Sequence, residues 1–134
     1  SMMEINYFLF WGMFGLCCEI IFTAIMNLFS KKAYNLIGHT SLWMFPIYSI
    51  GLTYGFSLVQ YIIPNNFIRF LSYPLWIWLV EILVGYPLIK VGIRIWDYRY
   101  LSDNRHWKGI ISFVHFPVWV FFGFLVELVD KLLK

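Results

Sequence analysis

Long apolar runs separated by short polar segments dominate the pattern along this chain. A helix that crosses a bilayer needs about 20 mostly apolar residues, and no run alternates with the period of a barrel strand. Because the backbone must satisfy its own hydrogen bonds in lipid, the runs predict four membrane-spanning helices. The predicted helices cover residues 5–29, 42–63, 70–89 and 110–129.

The composition supports an all-α integral membrane four-helix bundle, with residues 1–134 forming a single domain. The chain is 61% hydrophobic and 13% charged, whereas a soluble domain carries about a quarter charged residues. The expected partners are the lipid bilayer and, because four helices make a thin bundle, further copies or a larger membrane complex. The net charge of +3 gives no reason to expect nucleic acid.

A short pattern, G-x-x-S-x-x-x-x-P, occurs at residues 38–46 and again at residues 109–117. Each copy follows an apolar run with a glutamate near its centre. This suggests two tandem helical hairpins related by a pseudo-two-fold axis along the membrane normal, as in parallel-repeat transporters.

Basic residues are unevenly distributed among the connecting segments. Loops 30–41 and 90–109 carry seven lysines and arginines, against three elsewhere (Arg69, Lys131 and Lys134). The excess of basic residues on cytoplasmic loops predicts that both loops are cytoplasmic and both termini outside.

Glu19 and Glu81 are the main candidates for function, because neither apolar run contains a lysine or arginine to neutralise its acid. Charged side chains at membrane depth are costly and often mark ion or substrate pathways. Thr23 and Asn27 share a helix face with Glu19. With His115, these residues predict a site for a proton, a cation or a polar ligand. The alternative is structural: protonated glutamates and a hydrogen-bonded histidine that only join helices.

The segment Trp96, Asp97 and Tyr98 belongs to the longest loop, residues 91–109 (the third loop). Its aromatic residues suit the headgroup level and predict an interfacial anchor, while a gate or a headgroup-binding loop is the alternative. Glu127 lies near the end of the fourth run and close to charged residues. It is a secondary acid for which an interfacial salt bridge is expected.

Several enzyme signatures are absent from the sequence. There is no phosphate-binding glycine loop, no H-E-x-x-H and no G-x-S-x-G, so ATPase, zinc-protease and serine-hydrolase activities are not predicted. Cys17 and Cys18 are adjacent and favour small buried thiols over a disulfide or a metal site. No metal or other cofactor is predicted, and an enzyme is the less favoured class.

Three segments carry a family resemblance: residues 15–24 (GLCCEIIFTA), 38–48 (GHTSLWMFPIY) and 96–98 (WDY). In their order and spacing the chain resembles the transmembrane protein 229 family, whose bacterial relatives are described as CmpB-type ABC-transporter permeases. The resemblance implies a small four-helix integral membrane protein. The family pattern has a serine after Trp-Asp-Tyr, where this chain has Arg99. The motif positions include Glu19, Glu81, Asp97 and Glu127.

Three functions are compatible with these features. The first is a transporter or permease-like subunit that uses the two buried carboxyl groups to bind its ligand. The second is a structural or accessory subunit that packs against a membrane partner. The third is a lipid-binding protein or intramembrane enzyme, for which no nucleophile or cofactor motif is found.

Overall fold

The chain is mostly helical in the computed structural model, which describes residues 2–134. Helix α1 spans Met2–Lys31. It is followed by α2 (Met44–Ile50) and α3 (Phe56–Ile62), and a π-helical turn (Gly51–Gly55) connects these two α-helical segments.

Helix α4 spans Asn66–Lys90 and α5 spans Phe116–Leu133. Between them lies a short antiparallel hairpin of β1 (His106–Trp107) and β2 (Ile111–Ser112), in which His106 pairs with Ser112 and Trp107 with Ile111. A 3₁₀ turn, Phe113–His115, leads from the hairpin into α5.

Within residues 2–134, three helical segments are long and apolar enough to cross a membrane: Met3–Lys31, Asn66–Lys90 and Phe113–Leu133. They coincide with three of the four predicted spans. Many of their large apolar side chains are exposed, as at Phe29 (80%) and Leu132 (77%). Apolar side chains exposed along membrane-length helices indicate a membrane protein.

The chain divides into two compact units, Ser1–Val59 and Gln60–Lys134. In the first unit α1 packs along α2 and the π-helical turn. Gly12 makes the close approach possible, because a Cβ there would overlap the side chains of Ser49 and Phe45. Ser49 is fully buried as a result.

The predicted second span, residues 42–63, is an interrupted helix. The backbone N–H of Phe56 donates to the carbonyl of Gly51, the i to i+5 bonding of a π-helix, in the middle of the span. Pro46 lies in the first turn of α2, where a helix leaves backbone N–H groups without partners anyway. The proline therefore starts this segment rather than breaking it.

In the second unit α4 packs against α5. The Asn65 side chain caps α4 by accepting a hydrogen bond from the N–H of Ile68 at 3.0 Å. Tyr73 is fully buried against Gly123, where any side chain would overlap its ring. The rings of Phe70 and Phe124 meet edge to face at 5.7 Å.

The fourth predicted helix, residues 110–129, begins later than its apolar run suggests. Ile111 and Ser112 are extended and pair with β1, and α5 starts only at Phe116. The turn before β2 has positive φ at Lys108 (53°) and Gly109 (70°), so the chain cannot enter a helix there. An apolar run alone does not distinguish a buried strand from the first turn of a helix.

Candidate functional site

Glu19 is held by the second helix of its own unit. The hydroxyl of Tyr48 in α2 donates to Glu19 Oε1 at 2.8 Å. Gly15, one turn before Glu19, lets the tyrosine approach, because a Cβ at Gly15 would overlap the Tyr48 side chain. The phenol thus reaches the carboxyl group across the α1–α2 contact.

Thr23 and Asn27 hold the loop that follows α1. The Thr23 hydroxyl lies within hydrogen-bond distance of the carbonyl of His39 at 3.1 Å and accepts the N–H of His39 at 2.8 Å. Asn27 Nδ2 donates to the carbonyl of Ile37 at 3.4 Å. A Cβ on Gly38 would overlap the α1 backbone at Ile20, so only glycine fits there.

The small and polar residues on the Glu19 face of α1 therefore contact other parts of their own unit. The glycines of this face contact α2, Glu19 accepts from Tyr48, and Thr23 and Asn27 bind the connecting loop. These contacts are of the kind that the structural alternative for Glu19, Thr23 and Asn27 expects.

Glu81, Tyr98 and His115 form a second polar cluster, which lies in the other unit. Glu81 and His115 are buried, at 9% and 7% exposure. The hydroxyl of Tyr98 donates to Glu81 Oε2 at 3.3 Å, and its ring lies 5.4 Å from the imidazole of His115. The third loop, the start of α5 and the middle of α4 each contribute one member of this cluster (the Glu81 cluster).

The third loop reaches the cluster by running back along α4. Trp96 fits over Gly85, where a Cβ would come within 2.9 Å of the indole. The indole N–H donates to the carbonyl of Ile110 at 2.8 Å. Glu81 lies nine residues before the end of α4, about 13 Å along the helix axis. The loop therefore folds down the side of α4 and is not confined to its end.

Asp97 contacts two arginines of the third loop and organises that loop. Its carboxylate accepts from the backbone N–H of Arg99 at 2.9 Å and from the Arg99 side chain at 2.7–3.0 Å, and Arg94 Nη1 lies 3.7 Å away. The side-chain hydrogen bond from Arg99 lowers the pKa of Asp97 below its ordinary value. Asp97 is thus an anionic anchor for the loop rather than a member of the buried site.

Glu127 belongs to a separate, fully paired cluster. Arg69 donates to both of its oxygens at 2.7 Å, and the Tyr73 hydroxyl donates to Oε2. The guanidinium also donates to the carbonyls of Ile63 and Pro64, each at 3.1 Å, and to Asn66 Oδ1 at 2.7 Å. The salt bridge expected for Glu127 is formed with Arg69, 58 residues earlier, and not with the neighbouring terminal lysines.

Sequence reasoning missed Arg69, Tyr48 and Tyr73. It singled out Tyr98 as part of the interfacial loop but did not predict its hydrogen bond to Glu81. Arg69 could have been found, because it begins an apolar run and Glu127 lies near the end of the following one. In two neighbouring antiparallel helices, the start of the first and the end of the second lie at the same depth. Tyr48 and Tyr73 carry no comparable signal, since the chain has nine tyrosines, many of them among apolar residues. Within residues 2–134 no group of three or more His, Cys, Asp or Glu side chains is placed to hold a metal ion.

The fold and the buried acids define a small, mostly helical protein with the features of a membrane protein. In its second unit the third loop folds along α4 and contacts Glu81 of the Glu81 cluster. No protein-family model and no solved structure matches the chain. The resemblance to the transmembrane protein 229 family therefore stays a prediction.

Proposed function

We propose that the chain is a multi-pass membrane protein with four crossings. The interrupted segment Met44–Ile62 is 19 residues long and, at about 1.5 Å per residue, nearly matches the hydrocarbon thickness of a bilayer. With the three membrane-length helices it makes four crossings. Tandem hairpins entering the membrane in the same sense are part of this proposal.

Within that framework we propose a permease-like transport subunit, in which the Glu81 cluster binds and releases a proton or a monovalent cation. The observation that carries the proposal is the position of Tyr98, whose hydroxyl donates to Glu81 while its ring lies against His115. A buried carboxyl group, a phenol and an imidazole in one group can exchange a proton or offer oxygen ligands.

The third loop supports this proposal. Irregular backbone at membrane depth is tolerated where it is buried in protein or lines a cavity, and transporters commonly build their sites from such interrupted segments. Here the loop carries Tyr98 to Glu81 and fixes its own course through Trp96 and Gly85. A loop that lies over Glu81 and also supplies the hydrogen-bond donor to its carboxyl group is suited to control access to that group.

Ion flux into proteoliposomes tests the proposal. Purified protein is reconstituted with an internal pH dye, and a potassium diffusion potential drives protons inward; a sodium gradient with a sodium dye gives the cation arm. We expect flux above empty liposomes in at least one arm. Glu81→Gln should reduce that flux to the level of empty liposomes, and Tyr98→Phe should slow it.

Glu19→Gln is the matched control, because it makes the same change in a carboxyl group that also accepts from a tyrosine. We expect it to retain flux. Wild-type protein that conducts no better than empty liposomes in either arm would refute the transport proposal. An equal loss of flux in Glu19→Gln and Glu81→Gln would show that the Glu81 cluster has no specific role in transport.

A second candidate function is an accessory subunit, favoured by the G-x-x-x-G pair Gly51 and Gly55. A Cβ on either glycine would meet no atom within 4 Å, so this pair is not used in packing within the described chain. Such pairs let helices of different chains approach closely. Fluorescence energy transfer between labelled chains in vesicles tests whether this glycine pair brings chains together. The double variant Gly51→Ile, Gly55→Ile should abolish the transfer, and the control variant Leu58→Ile should not.

A further inference from the structure

Two lysines converge on one aromatic ring near the end of α4. The ammonium group of Lys90 lies 4.8 Å from the centre of the Tyr86 ring, and that of Lys108 lies 5.2 Å from the same centre. Lys108 is also 5.3 Å from the Trp107 ring, which lies 6.1 Å from Tyr86. These four side chains form one patch of two cations and two aromatic rings (the Lys90–Lys108 patch).

The patch lacks an acidic partner within the part of the chain that the structure describes. The nearby carboxylate of Asp97 is already bound by Arg99 and Arg94. No ion pair to Lys90 or Lys108 is found among residues 2–134. Two like charges held near one ring repel each other, and an anion between them would relieve that repulsion.

The position of Lys108 is fixed by its turn. Trp107–Ile110 is closed by a hydrogen bond from the N–H of Ile110 to the carbonyl of Trp107 at 2.8 Å, with positive φ at Lys108 and Gly109. Arg94 donates to the carbonyl of Lys108 at 3.2 Å, and the N–H of Gly109 donates to His106 Nδ1 at 2.9 Å. Because the turn is held in place, little backbone entropy is lost when the Lys108 side chain binds.

We infer that the Lys90–Lys108 patch binds the phosphate of an anionic phospholipid headgroup. The patch lies where a membrane-length helix ends. A helix that crosses a bilayer ends at the level of the headgroups, where tyrosine and tryptophan are enriched. Lysines near a membrane surface are attracted to anionic lipids. Arg94 and Arg99 are engaged by Asp97, whereas Lys90 and Lys108 form no ion pair among residues 2–134, so their charge is available to a lipid. This inference does not depend on the Glu81 cluster or on transport.

Electron spin resonance of spin-labelled lipids tests the inference. The full chain is reconstituted in phosphatidylcholine, and the selectivity of the protein for spin-labelled phosphatidylglycerol over spin-labelled phosphatidylcholine is measured. We expect a clear preference for phosphatidylglycerol in wild type. The double variant Lys90→Gln, Lys108→Gln should lose most of it, about fivefold for each lysine. The charge-preserving variant Lys90→Arg, Lys108→Arg should keep it and serves as the control for folding.

The matched control is Lys31→Gln, Lys32→Gln, which removes the same charge from two exposed lysines elsewhere. We expect this variant to keep the preference. An equal loss in the two glutamine pairs would overturn the inference, because only net charge would then matter. Loss of the preference on adding inorganic phosphate, but not sodium chloride of equal ionic strength, would assign the patch to free phosphate and also overturn it.

Discussion

Glu19, Glu81 and Glu127 lie well inside apolar helices, and each accepts a hydrogen bond from a tyrosine hydroxyl. Tyr48 donates to Glu19, Tyr98 to Glu81 and Tyr73 to Glu127. A buried carboxyl group is costly unless it is hydrogen-bonded, and a phenol supplies the bond from an otherwise apolar side chain. The three sites differ in their further partners: an arginine at Glu127, an imidazole beside the phenol at Glu81, and a helix contact at Glu19.

The Arg69–Glu127 pair predicts a large loss of stability when one partner is removed. Glu127→Gln leaves a guanidinium that is only 8% exposed without its counter-charge. We expect the free energy of unfolding in detergent to fall by about 3 kcal/mol or more. Asp130→Asn removes an exposed pair with Lys134, and should cost about 1 kcal/mol or less. Similar losses in the two variants would contradict the buried pairing.

The low pKa of Asp97 predicts a pH dependence of the third loop. Because the folded-state pKa lies below the ordinary 3.8, the contribution of Asp97 to stability is fully present above that pH. It is lost as the pH falls through the lower folded-state pKa. The ¹⁵N amide shift of Arg99, whose N–H donates to Asp97, reports this titration. We expect a midpoint below 3.8 that disappears in Asp97→Asn; a midpoint at or above 3.8 would contradict the ion pair.

At the scale of helices, the sequence predicts the positions of the apolar segments well. It does not predict which parts of the chain contact the polar faces of these helices. The runs anticipate α1 and α4 because lipid requires long, continuous apolar stretches. Spacing also places Thr23 and Asn27 on one face with Glu19, but it does not reveal that the loop at Ile37–His39 occupies that face. That contact depends on where the chain turns back, which hydropathy does not record.

The repeated G-x-x-S-x-x-x-x-P pattern shows the same limit. Its prolines lie in the first turns of α2 and α5, as a shared ancestry would require. Its glycines have different roles, since Gly38 contacts the α1 backbone and Gly109 adopts a φ of 70° in a turn. The duplication stays a prediction, because helix-start prolines are common wherever a helix begins.

The contact between α1 and α2 predicts opposite effects for two glycine substitutions. Gly15→Ala would push into Tyr48 and disturb its hydrogen bond to Glu19, so we expect a loss of about 1–3 kcal/mol in unfolding free energy. Gly51→Ala meets no neighbour and keeps a helical backbone, so it should be neutral or stabilise by up to about 1 kcal/mol. Equal unfolding free energies for the two variants would show that α1 and α2 do not pack closely at Gly15.

At the scale of the whole chain, the basic residues are distributed unevenly with respect to the four proposed crossings. Loops 30–41 and 90–109 hold seven of the ten lysines and arginines. Of the remaining three, Arg69 is buried against Glu127. The imbalance among exposed basic residues is therefore larger than the sequence count, which strengthens the prediction that both of these loops are cytoplasmic.

Cysteine labelling measures this orientation directly. In a background with Cys17→Ser and Cys18→Ser, single cysteines are placed at exposed positions by Lys32→Cys, Arg105→Cys or Asn65→Cys. If all four segments cross, a membrane-impermeant maleimide should label Asn65→Cys in intact cells and the other two only after permeabilisation. The reverse result would invert the topology. Labelling of Lys32→Cys and Asn65→Cys under the same condition would mean that the interrupted helix Met44–Ile62 does not cross, because both ends of that helix would then lie on the same side of the membrane.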